Sequence, residues 1–591
     1  KLWLTPSGNG MAMYDRERNR LVPFLDKNRH YAWTTENTLI DLFVDRQDNV
    51  WFCGKYTGLQ KATFSAMQFN TLSHTAPTES GHDIRGIFQD SKGRIWLGAK
   101  SGVVSVYDSG LHFIGNLGAD GTLSPHSTSQ VGHAYAFAED RNGTIWIATK
   151  FSGLIRLLPN GEKSFRLTRY TADGSPYGLP HNDIFSICID RHNRLWGATF
   201  GGGIFYADLR AKHLRFIHPG NRLKTYPIQT FKRTRFITAD RSGDIWVCTT
   251  SGLIRFKDNF HSPSDIRFVV YKRQPDNASS LSYNDVLEAY FTKADSMYVC
   301  TYGGGFCKVE RMEGDSLQFT PFTTANGLRS DVIFSVQEDK GGNLWFASEN
   351  GFVRYSPRKN SVENFSSRFF GKQIDINEGM SLRLKNGVLA YPSRNYTLVY
   401  FNPERIKASK FVPKIILTRL FVDQTEQQPS ADDDAILESD INCTECITLP
   451  SDKNGFNLEF AALDYRDPTN VSYAYMMKGI DAGWNMIGNR HNAIYNNLPP
   501  GRYTLKIRST NSDGVWVDNV REVSIEVLPS FWQTGWAWLL YFIIAVIVVG
   551  ATTYVLITIL QLKQKVAIEQ QISDLKMKFF TNISHEIRTP L

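Results

Sequence analysis

Over roughly the first 400 positions, apolar residues fall in short runs of strand length. Each run closes on an aspartate, crosses a polar turn and resumes around a tryptophan. The segments Asp45–Trp51, Asp90–Trp96, Asp140–Trp146, Asp190–Trp196, Asp240–Trp246 and Asp339–Trp345 share this pattern, spaced 45 to 50 residues between neighbours. The exception is a degenerate unit that carries Tyr298 in the tryptophan slot, and weaker units start at Trp3 and near Val388. Within a unit, a strand ends in Asp, a Gly or Asn turns the chain, a second strand surrounds Trp, and a further glycine such as Gly58, Gly102 or Gly153 starts the return. Antiparallel hairpins in series at this period predict four-stranded blades that close radially into a propeller, leaving few exposed edges. A Trp in every blade, with a small residue two positions on along the same face, is packing architecture: the indole fills the gap between neighbouring sheets. About nine units fit between residues 1 and 405, more than the usual 4 to 8 blades of one ring. The segment therefore predicts either one large ring or parts of two.

Past Asn402 and Pro403 the period changes. Residues 411–528 alternate in short strands separated by turns, which predicts a β-sandwich. An uncharged apolar run then extends through Leu560, long enough at about 1.5 Å per residue to cross a hydrocarbon core about 30 Å thick. Trp532, Trp536 and Trp538 sit at its near end as an interfacial belt, and Lys563, Lys565, Lys576 and Lys578 follow its far end. The positive-inside rule then puts residues 1–530 outside the cytoplasm and residues 561–591 inside it. Beyond the span, Ile568, Ile572, Leu575 and Phe579 recur at intervals of four, three and four, the seam of a helix that pairs with a second copy.

Composition adds little. Aromatics make up 13% and charged residues 21%, and the net charge of +8 is spread along the chain, so no footprint for direct nucleic-acid contact is expected. Seven cysteines at irregular spacing make no disulfide framework. Cys53, Cys248 and Cys300 occupy the small-residue slot two positions after Trp51, Trp246 and Tyr298, filled elsewhere by Gly98, Ala148, Ala198 and Ala347. Cys443 and Cys446 form a lone pair in a polar loop, with nothing to complete a zinc site. The chain opens at Lys1 inside a repeat and stops at Leu591 inside a helical motif, so both ends are expected to be cut.

The propeller units resemble the regulator-propeller repeats of glycan-sensing hybrid two-component sensors of gut bacteria. The segments Tyr473–Trp484, Tyr495–Tyr503 and Asn511–Trp516 resemble the immunoglobulin-like Y_Y_Y domain of the same sensors, and Phe579–Leu591 resembles the H-box that opens a histidine kinase's dimerisation domain. The resemblance implies a mainly β chain. Residues 1–85 would be the remnant of a first propeller, 86–405 a second of about seven blades, and 411–528 an immunoglobulin-like sandwich. A transmembrane helix at 536–560 and a signalling helix at 561–591, the start of the cytoplasmic phosphoacceptor domain, would complete it. The whole protein would be a single-pass homodimer of the bacterial inner membrane, its sensor periplasmic. It would use ATP with magnesium bound in a domain outside this chain, and would pass phosphate to a downstream receiver.

In the H-box, Ile583 and Ile587 share one helical face while His585 points about 200° away, towards solvent. A neutral imidazole there can attack a γ-phosphoryl group. By resemblance, Glu586 accepts the imidazole proton, and Pro590 loosens the helix behind it. Without an ATP lid or nucleotide box, the chain by itself is expected to be catalytically silent. On the sensor, segments entering the blades bring Arg85, Tyr135, His181, Asn182, Asp183 and Arg235 forward as ligand contacts, because loops at one propeller face converge on the axis. The resemblance implies an oligosaccharide, and the basic stretch Lys224, Lys232, Arg233 and Arg235 points to an anionic one. Two rival readings remain: a membrane-anchored glycan-cleaving propeller enzyme, and a scaffold that binds protein partners. The enzyme reading would require a convergent acid and nucleophile, whereas the aspartates here recur at every blade.

Overall fold

The computed structural model describes residues 2–4, 12–23, 39–56, 58–63, 69–73, 83–312, 314–366, 374–394, 397–406, 409–432 and 435–587. Seven sheets follow one another through the repeat region, and six of them begin with the strands Ile84–Gln89, His133–Glu139, Ile184–Ile189, Thr234–Ala239, Val286–Phe291 and Ile333–Glu338. The seventh begins with the short strand Leu382–Arg383. Each opening strand packs against the next sheet's opening strand, and Leu382–Arg383 meets both Ile333–Glu338 and Ile84–Gln89, which closes the ring. Blade size varies: the first sheet has five strands and the third has three, because the chain after Gly203–Asp208 returns only as a single bridge between Tyr206 and Ile217.

Ring closure shifts the expected boundary at residues 85 and 86. The outermost strand of the seventh blade is Asn70–Leu72, paired antiparallel with Leu398–Phe401. Strand pairing across more than 300 positions of chain fastens the two ends of the ring together, so no blade is left with a dangling terminus. Among the described residues before this strand are two separate three-stranded sheets, one of Leu2–Leu4, Ala12–Asp15 and Arg20–Pro23, the other of Leu39–Val44, Val50–Gly54 and Gly58–Ala62.

The aspartate and tryptophan that mark each repeat bond to each other. Trp Nε1 donates to the Asp Oδ2 six residues earlier at 2.9 Å for Trp96 and Trp196, 3.0 Å for Trp246 and 3.1 Å for Trp146 and Trp345. The other carboxylate oxygen accepts the backbone N–H four residues on, for example Arg194 at 2.9 Å and Thr144 at 3.0 Å. One side chain thus ties the turn to the indole that fills the blade interface, and all five of these indoles are fully buried. In the fifth blade Thr292 takes the aspartate's place, accepting the Ser296 N–H at 3.0 Å beside the buried ring of Tyr298. The slot two positions after the ring is tight, as the repeat requires. At Gly98 an added Cβ would lie 2.4 Å from the Ala134 carbonyl oxygen, and Cys248 and Cys300 are buried there with no solvent exposure.

The chain divides into two compact units, and the one that holds the propeller also takes in residues 464–472 and 510–517, from inside the expected 411–528 segment. Within it, Arg329 Nη2 donates to the Asn470 carbonyl at 2.9 Å, and Asp513 accepts the Ser409 N–H at 2.5 Å. The other unit contains a four-stranded and a five-stranded sheet, with buried Leu417, Leu458 and Phe460 on one and Leu505, Ile507 and Ile525 on the other. Its last element is one uninterrupted helix, Gly535–Ile587, which at about 1.5 Å per residue is roughly 80 Å long.

Candidate functional site

The opening strand of each of the first six blades carries a bulge at the same place. In the first blade Ile84 pairs with Ala99 and Gly86 with Gly98, so Arg85 is passed over by the ladder. The same slip passes over Tyr135, Phe185, Arg235, Leu287 and Phe334 in the next five blades. Bulged residues leave the alternating pleat and are re-aimed, and all six line one cavity of about 290 Å³. Phe200, Lys150, Glu288, Glu378, Gly379 and Met380 complete much of its wall. The volume lies at the lower edge of the range for small-ligand sites, about 300 to 1,000 Å³.

Two chemistries face each other there. Tyr135 and Phe185 have ring centroids 5.0 Å apart with planes tilted by 51°, and Phe185 stacks on Phe200 at 4.8 Å with planes 10° apart, giving an aromatic wall of three contiguous rings. Opposite in character is a guanidinium pair. Arg235 grips Asp285 through Nε at 2.7 Å and Nη2 at 2.9 Å, and its remaining Nη1 donates to Glu378 Oε1 at 2.8 Å. Arg85 Nη1 lies 3.0 Å from Glu378 Oε2, and the Arg85 guanidinium sits 5.5 Å from the Tyr135 ring centroid. Burial raises the Tyr135 phenol, and the Arg85 charge partly offsets that rise. Burial also pushes the Glu288 carboxyl up to about 8, so it carries its proton at neutral pH, while its Oε2 accepts the Val336 N–H at 3.1 Å.

Of the six expected ligand contacts, Arg85, Tyr135 and Arg235 line this cavity and His181, Asn182 and Asp183 do not. Those three order the loop entering the third blade. Asn182 Oδ1 accepts the Ala172 N–H at 2.7 Å, Asp183 Oδ1 accepts the Phe151 N–H at 2.8 Å, and His181 Nδ1 accepts the Asp183 N–H at 3.0 Å. The basic stretch is dispersed as well. Lys224 binds the Gly220 carbonyl at 2.9 Å, Arg233 stands 5.5 Å from the Phe200 ring centroid, and of the four basic residues Arg235 alone lines the cavity.

Phe185, Leu287, Phe334 and Glu378 are not among the expected contacts, yet the repeat carries a register that finds the first three. The bulged residue stands five positions before the clamp aspartate or its substitute: Arg85 before Asp90, Tyr135 before Asp140, Phe185 before Asp190, Arg235 before Asp240, Leu287 before Thr292 and Phe334 before Asp339. Carried to the seventh blade, five before Leu384 is Gly379. A Cβ there would lie 2.8 Å from Pro392 Cγ and 3.1 Å from the Arg85 carbonyl oxygen, so that place stays bare and the adjacent Glu378 reaches in. A larger cavity of about 570 Å³ lies in the sandwich unit, lined by Asp423, Gln424, Lys453, Asn454 and Asn497 among others. Its lining comes from one domain, from loops and from the strand residues Phe421, Phe456, Asn457 and Ile494.

At the other end of the chain, His585 and Glu586 are exposed in the last turns of the long helix and Ile583 is half-buried. Pro590 lies outside the described residues. Ile568, Ile572, Leu575 and Phe579 are all about half exposed or more on the helix surface. This helix is long and apolar enough over its first part to cross a membrane.

Comparison with known proteins agrees with this architecture. Two component regulator propeller repeats match residues 78–101, 130–151, 178–201 and 327–350, and a Y_Y_Y domain matches residues 464–528. The chain is 29% identical to histidine kinase P4 of Formosa agariphila over 412 residues, 67% of this chain and 29% of that protein. A crystal structure of the extracellular domain of BT3049 from B. thetaiotaomicron, described as a hybrid two component system, matches with a TM-score of 0.59 at 20% identity. The match covers 89% of this chain and 66% of that one. This chain therefore carries a two-component regulator propeller and a Y_Y_Y domain and has a histidine kinase homologue, of whose length it spans under a third.

Proposed function

We propose that residues 1–530 form the extracytoplasmic sensor of a two-component histidine kinase, that the apolar part of the long helix crosses the bacterial inner membrane once, and that His585 is the phosphoacceptor on the cytoplasmic side. The observation that carries the sensing half is the convergence of six bulged residues from six blades on one cavity with an aromatic wall and charged groups. Aromatic faces bind the apolar faces of sugar rings, while charged and amide groups fix their hydroxyls, so the ligand class is an oligosaccharide that inserts one end. A ligand that binds one arrangement of the blades or of the sandwich more tightly than another shifts the population of the helix dimer attached to it.

The chemical half rests on His585 and Glu586. A ring nitrogen of His585 forms a bond to the γ-phosphorus of ATP as the bond to the bridging oxygen of ADP breaks, and the proton on the other ring nitrogen passes to the Glu586 carboxylate. The nucleotide and its magnesium would be held by a catalytic domain of the whole protein, and a receiver aspartate would take the phosphoryl group onward. Pairing of the Ile568, Ile572, Leu575 and Phe579 seam with a second copy would cover apolar surface that a lone helix leaves to water.

The test is labelling of the complete protein in proteoliposomes with radioactive ATP, with a panel of oligosaccharides on the sensor side. One or more sugars should change the labelling rate, and His585→Gln should abolish the label. A label that survives that substitution, or a rate indifferent to every sugar, contradicts the proposal.

A further inference from the structure

The propeller cavity already holds an anion of its own. The Glu378 carboxylate lies between the guanidinium of Arg85, from the first blade, and that of Arg235, from the fourth, at 3.0 and 2.8 Å. Arg85 also donates to the Glu378 main-chain carbonyl. The neighbouring strap is drawn close as well. The Met380 N–H donates to the Arg85 carbonyl at 3.0 Å, and Gly379 fits against Pro392 and the backbone of Ile84 and Arg85 only because it lacks a Cβ. Glu378 keeps a third of its side chain exposed, so the carboxylate is reachable from the cavity and is not sealed in the core.

Three features show that this corner would accept an anion from outside. Arg85 Nε is buried with no hydrogen-bond partner, although Arg85 already serves Glu378 through Nη1. Lys150 lines the same cavity, and among the described residues it makes no ion pair, its ammonium lying 4.8 Å from the Phe151 ring centroid. The other carboxyl group of the lining, Glu288, holds its proton at neutral pH and so does not cancel these cations. Asp285 occupies one edge of Arg235 and leaves Nη1 as the donor a ligand could claim.

We propose that Glu378 is a tethered stand-in for the ligand's own acidic group: the cavity takes a carboxylate- or sulfate-bearing sugar whose anion displaces Glu378 from Arg85 and Arg235 and frees the 378–380 strap. This deepens the proposed oligosaccharide reading and rests on it. The stand-in keeps the Arg85 guanidinium, and the Nη1 of Arg235 that Asp285 leaves over, paired when no ligand is bound, which removes the cost of leaving a half-buried charge unpaired. It also sets a threshold, since an incoming anion gains only the difference between its own contacts and those of Glu378. Neutral sugars, unable to replace the carboxylate, would rest against the aromatic wall and leave the strap closed.

The test is a calorimetric titration of the detergent-solubilised full chain with D-glucuronate, glucose 6-sulfate and glucose, in the wild type and in Glu378→Gln. Removing the internal charge should tighten glucuronate, glucose 6-sulfate or both by roughly tenfold and leave glucose unchanged. Whichever anion gains identifies the acidic group. Adding Arg85→Gln to Glu378→Gln should cancel the gain. An equal gain for glucose, no gain for either anion, or no anion bound by either protein would overturn the proposal. A mere loss of thermal stability without tighter anion binding would do the same, because it makes the Arg–Glu–Arg cluster a structural tie and no more. If Glu378→Gln does not fold, Glu378→Asp keeps the charge but is a methylene too short to bridge both guanidiniums, and a smaller gain of the same sign is required. Should the anion gain be absent while neutral oligosaccharides still alter His585 labelling, only the stand-in fails. Should no sugar alter labelling, the sensing reading beneath it fails.

Discussion

The two ends of a propeller blade are built to opposite rules. At the turn end, Asp and Trp recur six residues apart, and each carboxylate makes the same bonds, Oδ2 to the indole and Oδ1 to the backbone, in five of the seven closed blades. At the entry end, five residues earlier, the strand bulges in the first six blades, but its occupants differ in size and charge: Arg85, Tyr135, Phe185, Arg235, Leu287 and Phe334. Identical geometry with identical residues marks scaffold, because every blade must solve the same closure problem. Identical geometry with different residues marks a site, because each blade contributes a separate group to one shared volume.

Substitution at the turn end should do the most damage to stability. Asp190 is fully buried and accepts Arg194 Nε at 2.6 Å as well as Trp196 Nε1 at 2.9 Å. Asp190→Ala leaves a buried guanidinium unpaired and should cost about 3 to 5 kcal/mol, read by thermal unfolding followed through tryptophan fluorescence. No measurable loss would show that the repeat marks something other than the clamp.

A second effect comes from the entry end through protons. The Glu288 carboxyl is held neutral by burial up to about 8 in the folded chain, against an ordinary value of 4.5. The native state therefore binds a proton that the unfolded chain releases, so stability falls as pH rises from about 4.5 to about 8 and levels off above that. Glu288→Gln, which has no such proton, should flatten that part of the curve in melts across the same range. An unchanged slope would place its origin elsewhere.

Ligand-wall substitutions should invert the pattern of Asp190→Ala, with binding weakened more than folding. Phe185 is half-buried, stacks on Phe200 and meets the tilted ring of Tyr135. Phe185→Ala should weaken the activating oligosaccharide by roughly tenfold in calorimetry and shift the melting midpoint less than Asp190→Ala does. The smallest effect concerns thiols. Cys248 and Cys300 sit in the packed slot near the clamp, their thiols pushed well up by burial, whereas Cys443 and Cys446 are exposed. Maleimide should label the exposed pair in the native chain and reach the slot cysteines only on unfolding.

The turn end was legible in the sequence because the clamp demands the same two residues every time, and the same repetition gave the tight slot after the tryptophan. The entry end was legible only in part. Arg85, Tyr135 and Arg235 stand out as polar groups near blade starts, but Phe185, Leu287 and Phe334 look like ordinary strand hydrophobes until the distance to the aspartate is counted. Glu378 could not be found that way, because it enters beside a glycine whose place in the register is empty. The strand Asn70–Leu72 carries no pattern in its three residues and is defined only by its partner, Leu398–Phe401. The expected division of the C-terminal segment at residue 560 has no counterpart in the backbone, since the helix runs unbroken from Gly535 to Ile587. Its change of character is one of surface chemistry, apolar before that point and charged after it.

The most direct measurement is hydrogen exchange of the complete membrane-embedded protein with and without an oligosaccharide that changes His585 labelling. Slowed exchange at the bulges around Arg85, Tyr135, Phe185 and Arg235 and at the 378–380 strap, with the Asp–Trp turns unaltered, is the expected result. Slowed exchange confined to the sandwich loops around Asp423 and Asn454, or to the turns, would contradict the placement of the ligand at the propeller axis.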